Sequence, residues 1–261
     1  AGSDLASLKL KAEREGEHYI VNGSKLWTTH AHLADHIFCL VRTDASVKPQ
    51  AGISFLLVEL DTPGVSVEPI ITMAGDHEVN QVFFDNAKVP LGNRIGEENK
   101  GWGYAKYLLE FERGGGFSAH RIGHEMDKLR TLLKQAQQDS PGFDDSGDIA
   151  RRIARLSIDL KALEITELRI LSALSDGGNP GPESSILKVS SVQLEQSVNE
   201  LAAEVLGLAG LVMQPVAKHH PVRADYTSSI VPRYLNNRAA SIFGGSQEIQ
   251  RNIIARMVLG L

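Results

Sequence analysis

The sequence predicts an α+β protein, in which an antiparallel β-sandwich or barrel is followed by a C-terminal four-helix bundle. Up to about residue 95, short apolar runs alternate with turn formers, a spacing typical of antiparallel β structure. No G-x-G-x-x-G follows a predicted strand, which argues against a Rossmann fold. After Pro90, apolar residues recur every three to four positions, the period of helices. We therefore predict a β-domain over residues 1–95 and a helical bundle domain over residues 96–261.

The β-domain begins with two runs, 19–21 and 25–27, on either side of Asn22-Gly23. This pair tolerates positive φ, so the sequence predicts a tight hairpin turn there. Turns are also predicted at Pro63-Gly64 and Asp85-Asn86. The remaining predicted strands are 37–41, 53–60, 65–67 and 81–84.

The helical domain shows apolar residues on one face of each long segment. The first set is Ile153, Leu156, Leu160, Leu163 and Leu171, and the second is Leu187, Leu194, Val198, Leu201 and Val205. Loops are predicted over residues 139–148 and 176–182, which are rich in Gly, Pro and Asp. A last helix is predicted over residues 247–258. Several long helices with short connections are typical of a bundle.

The bulk properties exclude several classes of protein. Hydrophobic residues make up 42% of the 261 residues, as in a globular protein. The net charge of −5 argues against a nucleic-acid partner. No apolar run is long enough to cross a membrane, and the first residues lack a signal-peptide pattern. The single cysteine, Cys39, indicates a reducing compartment, and we expect the cytoplasm.

Four sequence segments, in this order, resemble the acyl-CoA dehydrogenase family, and together they extend over nearly the whole chain. They are Ala1–Asp4, Asn22–Thr29, Asn80–Asp85 with Val89-Pro90 and Gly101-Trp102, and Ile242–Ala255. The resemblance implies FAD as the cofactor and an acyl-CoA thioester as the substrate. It also implies that an N-terminal helical domain is missing, so that the chain is a fragment and is itself inactive.

The family reaction removes an α-proton from the thioester and passes a hydride from the β-carbon to flavin, which requires a positioned carboxylate base. In many members that base precedes Gly-Thr in the C-terminal signature, where this chain has Gly244. A minority carry it on the first bundle helix as Leu-x-x-Glu-Arg, which matches Leu109–Arg113. The resemblance thus implies that Glu112 is the base; taken alone, Glu112 would be a solvated helix carboxylate. Glu110, two positions away, points roughly 200° from it.

Further site residues follow from the same resemblance. The backbone N–H of Gly244 resembles the donor to the thioester oxygen, although a plain turn glycine would look the same. Arg113 resembles the arginine near CoA and could equally form a surface ion pair. The resemblance implies that five residues bind FAD: Ser3 at the pyrophosphate, Trp27 and Thr29 beside the ring, and Ser246 and Glu248 at the ribose or adenine of a neighbouring subunit's flavin.

The chain departs from the family where the flavin diphosphate is held across a subunit interface. We find no Arg-x-x-Phe-Gly segment after the first bundle helix, and Arg121 is only a distant match. Leu208 replaces a usual glycine, and Glu204 replaces a usual Gln that faces the nucleotide. These features are similar to pimeloyl-CoA dehydrogenase large-subunit-like members, which implies a homo-oligomer or a heterotetramer with a related subunit. Electron-transfer flavoprotein is the implied electron acceptor.

Several alternatives stay open at this point. The chain could be a non-catalytic partner subunit of a heteromeric enzyme, an oxidase-type relative of the same fold, or a binding module without a cofactor. His30, His32 and His36 form an H-x-H-x-x-x-H pattern, but no Cys or carboxylate completes a known metal spacing, so no metal is expected. The sequence leaves open whether the acyl group is a fatty chain or a steroid.

Overall fold

The computed structural model describes residues 2–114, 118–140, 142–144, 146–177, 181–207 and 226–261, and only the backbone of residues 110–114, 226 and 227. The chain divides into two compact units. The first contains Ala1–Thr72 and Asp76–Glu110, and the second contains Met73–Gly75 and Phe111–Leu261. The predicted division between residues 95 and 96 stays a prediction.

The first unit is built on one six-stranded sheet, in the order β4-β3-β1-β2-β6-β5. Neighbouring strands are antiparallel except β1 and β3, which pair in parallel at Lys11 and Arg42. The α+β class is confirmed, and the predicted sandwich or barrel takes the form of a single mixed sheet. The strands are β1 Lys11–Glu15, β2 His18–Thr29, β3 His36–Arg42, β4 Ile53–Glu59, β5 Val65–Ile71 and β6 His77–Pro90.

The hairpin predicted at Asn22-Gly23 is wrong, because β2 runs through both residues. The turn lies instead at residues 16–17, where Glu15 pairs with His18. Gly23 sits at a register shift with φ 131°, and a β-carbon there would lie 3.2 Å from the Cα of Leu10. A residue pair that tolerates positive φ serves a bulge as well as a turn.

The turn predicted at Asp85-Asn86 is also wrong, since both residues lie inside β6. Asn86 has φ 50°, and its backbone N–H donates to Oδ1 of Asn22 at 2.8 Å. The Asn22 amide nitrogen in turn contacts Oδ1 of Asn86 at 3.2 Å. Two Asn side chains thus stabilise the irregular pairing of β2 and β6.

One face of the sheet supplies an apolar core. Alternate residues along the strands are buried, as the period of two requires. Cys39 lies in this core with its thiol unpaired, and burial raises its pKa to about 11. The core includes Leu10, Ala12, Tyr19, Val21, Ile37, Val41, Leu56, Val58, Val82, Phe84 and Val89.

The second unit is helical. Helices α2, α3 and α4 pack against one another around a shared core, and α5 and α6 contact α4. Most of the predicted apolar positions contribute to this core, but Leu171 is 37% exposed. No helix in the described ranges is long and apolar enough to cross a membrane. The helices are α1 Gly101–Gly114, which begins in the first unit, α2 Ala119–Asp139, α3 Asp148–Ser175, α4 Ser184–Val205, α5 Tyr226–Asn236 and α6 Gln247–Ile253, which continues into a π-helical turn, Ile254–Val258.

A buried carboxylate from α3 caps the beginning of α2. Oε1 of Glu167 accepts hydrogen bonds from the backbone N–H groups of Ser118 at 2.7 Å and Ala119 at 3.0 Å. The first N–H groups of a helix lack partners within the helix, and the positive end of its dipole favours an anion. Glu167 therefore fixes the residue at which α2 begins.

Candidate functional site

The predicted flavin segment lies near the end of β2, where its pairing with β6 shifts register between Lys25 and Thr28. Trp27 has φ 62° and His30 has φ 54°, values that non-glycine residues rarely adopt. The Trp27 side chain is 63% exposed, and Thr29 is also exposed. Strained backbone of this kind persists only where its surroundings hold it, and it concentrates at functional sites. The segment presents an aromatic surface outside the core.

A buried polar group lies behind this segment. The Asn80 side chain is fully buried, and its amide nitrogen is 3.0 Å from the carbonyl oxygen of Thr28. The same nitrogen is 3.2 Å from Nδ1 of His32, while Oδ1 of Asn80 is 2.6 Å from Nε2 of His77. The two imidazole rings stack with centroids 3.9 Å apart. Four residues from three chain segments thus meet at one point of the sheet.

The H-x-H-x-x-x-H pattern does not gather its histidines at one point. His32 stacks on His77, whereas His36 lies 3.9 Å from the Glu59 carboxylate in an exposed pair on β3 and β4. The rings of His30 and His32 meet edge to face, 6.3 Å apart. In the part of the chain that the structure describes, no three His, Cys, Asp or Glu residues are grouped to hold a metal ion.

Ser3 precedes a short 3-10 turn, Leu5–Ser7, in the first unit and is exposed. Its hydroxyl is therefore on the surface of the unit that carries Trp27 and Thr29. These three predicted FAD-binding residues are all solvent accessible, as a ligand-binding role requires.

Gly244 lies on a turn of the second unit, beside a half-buried lysine. Gly244 has φ 65°, and a β-carbon there would lie 3.4 Å from Nζ of Lys188. This ammonium donates to the carbonyl oxygen of Ala240 at 3.1 Å and lies 5.1 Å from the centroid of the Phe243 ring. Burial lowers the pKa of Lys188, partly offset by the nearby Glu195. The turn thus exposes backbone at residue 244 with a cation directly behind it.

Ser246 and Glu248 lie at the beginning of α6. The Ser246 hydroxyl accepts from the backbone N–H of Ile249 at 3.4 Å and caps the helix, and the residue is 8% exposed. Glu248 is exposed, and hydrogen bonds from its own backbone N–H and from Ser246 lower its pKa. Ser246 therefore has a local structural role, while the Glu248 carboxylate is available to a ligand.

The charged residues weighed for the flavin diphosphate have partners within the bundle. The guanidinium of Arg121 forms a two-point ion pair with Glu195, one N–O distance being 2.8 Å. Both carboxylate oxygens of Glu204 accept hydrogen bonds from NH1 of Arg152, at 2.7 and 2.9 Å. The charge of Glu204 is therefore neutralised at the surface. Leu208 lies outside the described residues.

Glu112 and Arg113 belong to α1, Gly101–Gly114, as the predicted first bundle helix requires. Their side chains, and that of Glu110, lie outside the described residues. The helical geometry of this segment separates positions 110 and 112 by about 200°.

The bundle also contains two carboxylates held by cations. Burial acts to raise the pKa of Glu125, but the hydrogen bond and charge of Arg233, together with Lys128, outweigh it and lower the pKa. Burial also acts to raise the pKa of Glu195, but the hydrogen bond and charge of Arg121 outweigh it and lower the pKa. Both ion pairs join α2 to other helices, Arg233 lying on α5 and Glu195 on α4.

These lowered pKa values predict a loss of stability in acid. A carboxylate with a lowered folded-state pKa contributes stability that is complete above its unfolded pKa of about 4.3 and is lost as the pH falls through the folded-state value. We expect the difference in unfolding free energy between wild type and Glu125→Gln to shrink as the pH falls below about 4.3. Urea unfolding at a series of pH values measures it, with the exposed Glu164→Gln as the control. A difference that stays constant down to pH ~2 contradicts the expectation.

Sequence reasoning missed three residues that contact predicted site residues or their segments: Asn80 in the first unit, and Lys188 and Arg152 in the second. Asn80 lies in one of the four segments that resemble the family, but the resemblance assigns it no role. A signal was present, because Asn has a low strand propensity and here stands in a buried strand pattern. Lys188 and Arg152 gave no such signal, since their partners are 50 or more residues away along the chain.

Models of two known protein domains match most of the chain. Residues 1–87 match the acyl-CoA dehydrogenase middle domain, and residues 99–259 match the acyl-CoA dehydrogenase C-terminal domain. Acyl-CoA dehydrogenase IpdE1 of Mycobacterium tuberculosis is 36% identical over 261 residues, which is all of this chain and 64% of that protein. The chain thus spans less than two thirds of this relative's length.

Two solved structures are similar along the entire chain. One is the ChsE4-ChsE5 complex from Mycobacterium tuberculosis, with a TM-score of 0.84 and 31% identity. The match covers 66% of the chain in that structure. The other is the Tcur3481-Tcur3483 steroid ACAD, with a TM-score of 0.86, 27% identity and 65% of the matched chain covered.

Proposed function

We propose, from the premise that this chain belongs to the acyl-CoA dehydrogenase family, that the protein containing it is an FAD-dependent dehydrogenase that introduces an α,β double bond into an acyl-CoA thioester. The observation that carries the proposal is that the usual position of the base lacks a carboxylate, while the alternative position on the first bundle helix has one. Residue 244 is a glycine on a positive-φ turn, and helix α1 carries the sequence Leu109–Arg113.

Glu112 is the proposed proton-abstracting base. The α-proton of a thioester is weakly acidic, so the base must be a carboxylate held near the α-carbon. Gly244 has no side chain that could take the proton, and its backbone N–H is the proposed donor to the thioester oxygen, where negative charge develops. Arg113 is the proposed contact for the CoA portion, as a cation beside anionic phosphate.

FAD is the proposed cofactor, and when bound it accepts the hydride from the β-carbon. The exposed ring of Trp27 on a strained backbone fits a planar ligand, and Thr29 beside it offers a hydroxyl. Ser3 is the proposed donor to the pyrophosphate. Glu248 is the proposed acceptor from a ribose or adenine of a neighbouring subunit's flavin. Ser246 is proposed to act there through its helix cap.

Anaerobic titration of the full-length protein with acyl-CoA tests this function. The oxidised-flavin absorbance should bleach as the substrate is consumed and an enoyl-CoA product forms. A steroid acyl-CoA and a straight-chain acyl-CoA should be compared, because one similar structure is named as a steroid ACAD. Flavin that stays oxidised with both substrate classes contradicts the proposal.

Restoring a carboxylate at residue 244 should not replace Glu112. In the double variant Glu112→Gln/Gly244→Glu, the new carboxylate lies beside the Lys188 ammonium, which pairs with it and lowers its basicity. The left-handed backbone at residue 244 adds about 1–2 kcal/mol of strain for a residue with a β-carbon. We expect turnover to stay near that of Glu112→Gln alone, measured by steady-state kinetics. Recovery of wild-type turnover contradicts the expectation.

A heteromeric assembly is the proposed quaternary state, with a homo-oligomer as the alternative. Arg121 is engaged by Glu195 and therefore does not offer a free fork to a neighbouring subunit's flavin diphosphate. One similar structure is a complex of two named chains. Co-expression with a related subunit, followed by mass measurement of the purified complex, tests this. A homotetramer with full flavin content contradicts it.

A second candidate function is a non-catalytic partner subunit, favoured by the same engagement of Arg121. Electron-transfer flavoprotein is the proposed electron acceptor, and rapid reoxidation of the reduced flavin by oxygen would instead identify an oxidase-type relative. The buried, unpaired thiol of Cys39 is compatible with the cytoplasm as the proposed compartment.

A further inference from the structure

The backbone of residues 27–30 is held in an unfavourable conformation by a partner outside the segment. Trp27 and His30 both have positive φ, and each such residue costs about 1–3 kcal/mol, so that it persists only where its surroundings impose it. The backbone N–H of His30 donates to the carbonyl oxygen of Glu78 at 2.8 Å, which anchors one end. The side chain of Asn80 contacts the Thr28 carbonyl between the two strained residues.

The orientation of the Asn80 amide is fixed by its neighbours. A backbone carbonyl only accepts hydrogen bonds, so the atom of Asn80 that faces Thr28 at 3.0 Å must be the nitrogen. The amide oxygen then faces Nε2 of His77 at 2.6 Å, so His77 carries a proton on Nε2 and donates it. The amide nitrogen also faces Nδ1 of His32 at 3.2 Å, which must therefore be the acceptor.

The two histidines act as one support for this amide. Their rings stack at 3.9 Å with an interplanar angle of 24°, so neither ring can turn without displacing the other. Because Asn80 is fully buried, an unsatisfied amide there would be costly, and each of its polar atoms has a partner. The Asn80 amide thus adds a side-chain contact to the Thr28 carbonyl, at the point where the pairing of β2 with β6 resumes after its register shift.

We infer that Asn80, oriented by His32 and His77, is a positioning residue that holds the backbone of Trp27–His30 so that Trp27 and Thr29 face the flavin. This inference rests on the proposed function, since it assigns these two residues to FAD. Asn80 acts through the backbone of Thr28 and does not itself contact the cofactor.

The test uses the full-length protein and the isosteric variant Asn80→Asp. Aspartate keeps the shape but replaces the donor with an acceptor facing the Thr28 carbonyl, so the bond is lost. Val82→Ala is the matched control, because Val82 is equally buried two residues along β6 and its side chain packs in the apolar core. Hydrogen exchange of the peptide containing residues 26–33, in the flavin-free protein, measures directly how firmly Asn80 restrains this backbone.

We expect Asn80→Asp to speed exchange in this peptide and to raise the FAD dissociation constant by about tenfold or more, the cost of one buried donor. We expect Val82→Ala to lower the melting temperature while leaving both quantities within about twofold. Equal loss of FAD affinity in the two variants at equal loss of stability would overturn the positioning role. So would faster exchange with unchanged FAD affinity. A wild-type protein that binds no FAD contradicts the proposed function itself, before any variant is compared.

Discussion

The variant Glu112→Gln should lower kcat by roughly 100- to 10,000-fold, the contribution of a positioned general base. Glutamine keeps the size and the helix propensity of glutamate but cannot accept the α-proton. Because the amide still fits the same space, we expect the Kd for acyl-CoA and the flavin content to change little. Single-turnover flavin reduction in the full-length protein measures the effect on the chemical step without product release.

The matched control is Glu110→Gln, on the same helix two positions earlier. Positions two apart on a helix are separated by about 200° around its axis, so both cannot serve one substrate. We expect it to change turnover by about twofold or less, as a surface substitution does. The catalytic assignment fails if Glu110→Gln gives the larger loss, and the partner-subunit function gains if neither variant reduces turnover of the purified assembly.

The variant Arg233→Met should destabilise the helical bundle by about 2 kcal/mol. It removes the Arg233 partner of the Glu125 carboxylate, which is 7% exposed, and leaves the Lys128 ammonium at 3.1 Å. Breaking a buried ion pair from one side typically costs about 3–5 kcal/mol, and the partial exposure of Arg233 together with Lys128 reduces that figure. Urea unfolding of the full-length protein, followed by circular dichroism, measures the change.

Arg151→Met is the control, because it also removes a cation but from an exposed ion pair. Its ion pair with Asp148 has an N–O distance of 3.6 Å, and both side chains are more than half exposed. Exposed pairs contribute about 0.2–1 kcal/mol. If the two variants destabilise the protein equally, burial does not govern the strength of these pairs and the larger expectation for Arg233 is wrong.

Much of the fold could be predicted because hydrophobic periodicity reports directly on burial. Leu187 and Val198, for example, were predicted on one helical face and are both buried. The prediction failed where one residue type serves two conformations. Asn22-Gly23 supplies positive φ to a bulge as readily as to a hairpin, and only the partner strand decides between them.

The candidate site was predictable to the extent that it follows local motifs. Trp27 and Gly244 were identified from short segments, and both adopt positive φ on exposed surfaces. Of the supporting residues, Asn80 gave only the signal of a polar residue in a buried strand pattern, and Lys188 gave none. Both reach this backbone across 50 or more residues of chain, Asn80 at Thr28 and Lys188 at Gly244. Such contacts are created by tertiary packing, which periodicity does not encode.

The carboxylate of Glu167 makes the first turn of α2 depend on a residue 48 positions later in the chain. Helices commonly begin at a residue whose own side chain closes the first turn, but the Ser118 hydroxyl does not do so here. In an isolated peptide of residues 118–139, these N–H groups would be left to water, and the end of the helix would fray. The starting point of α2 therefore depends on its packing against α3 and not on its local sequence alone.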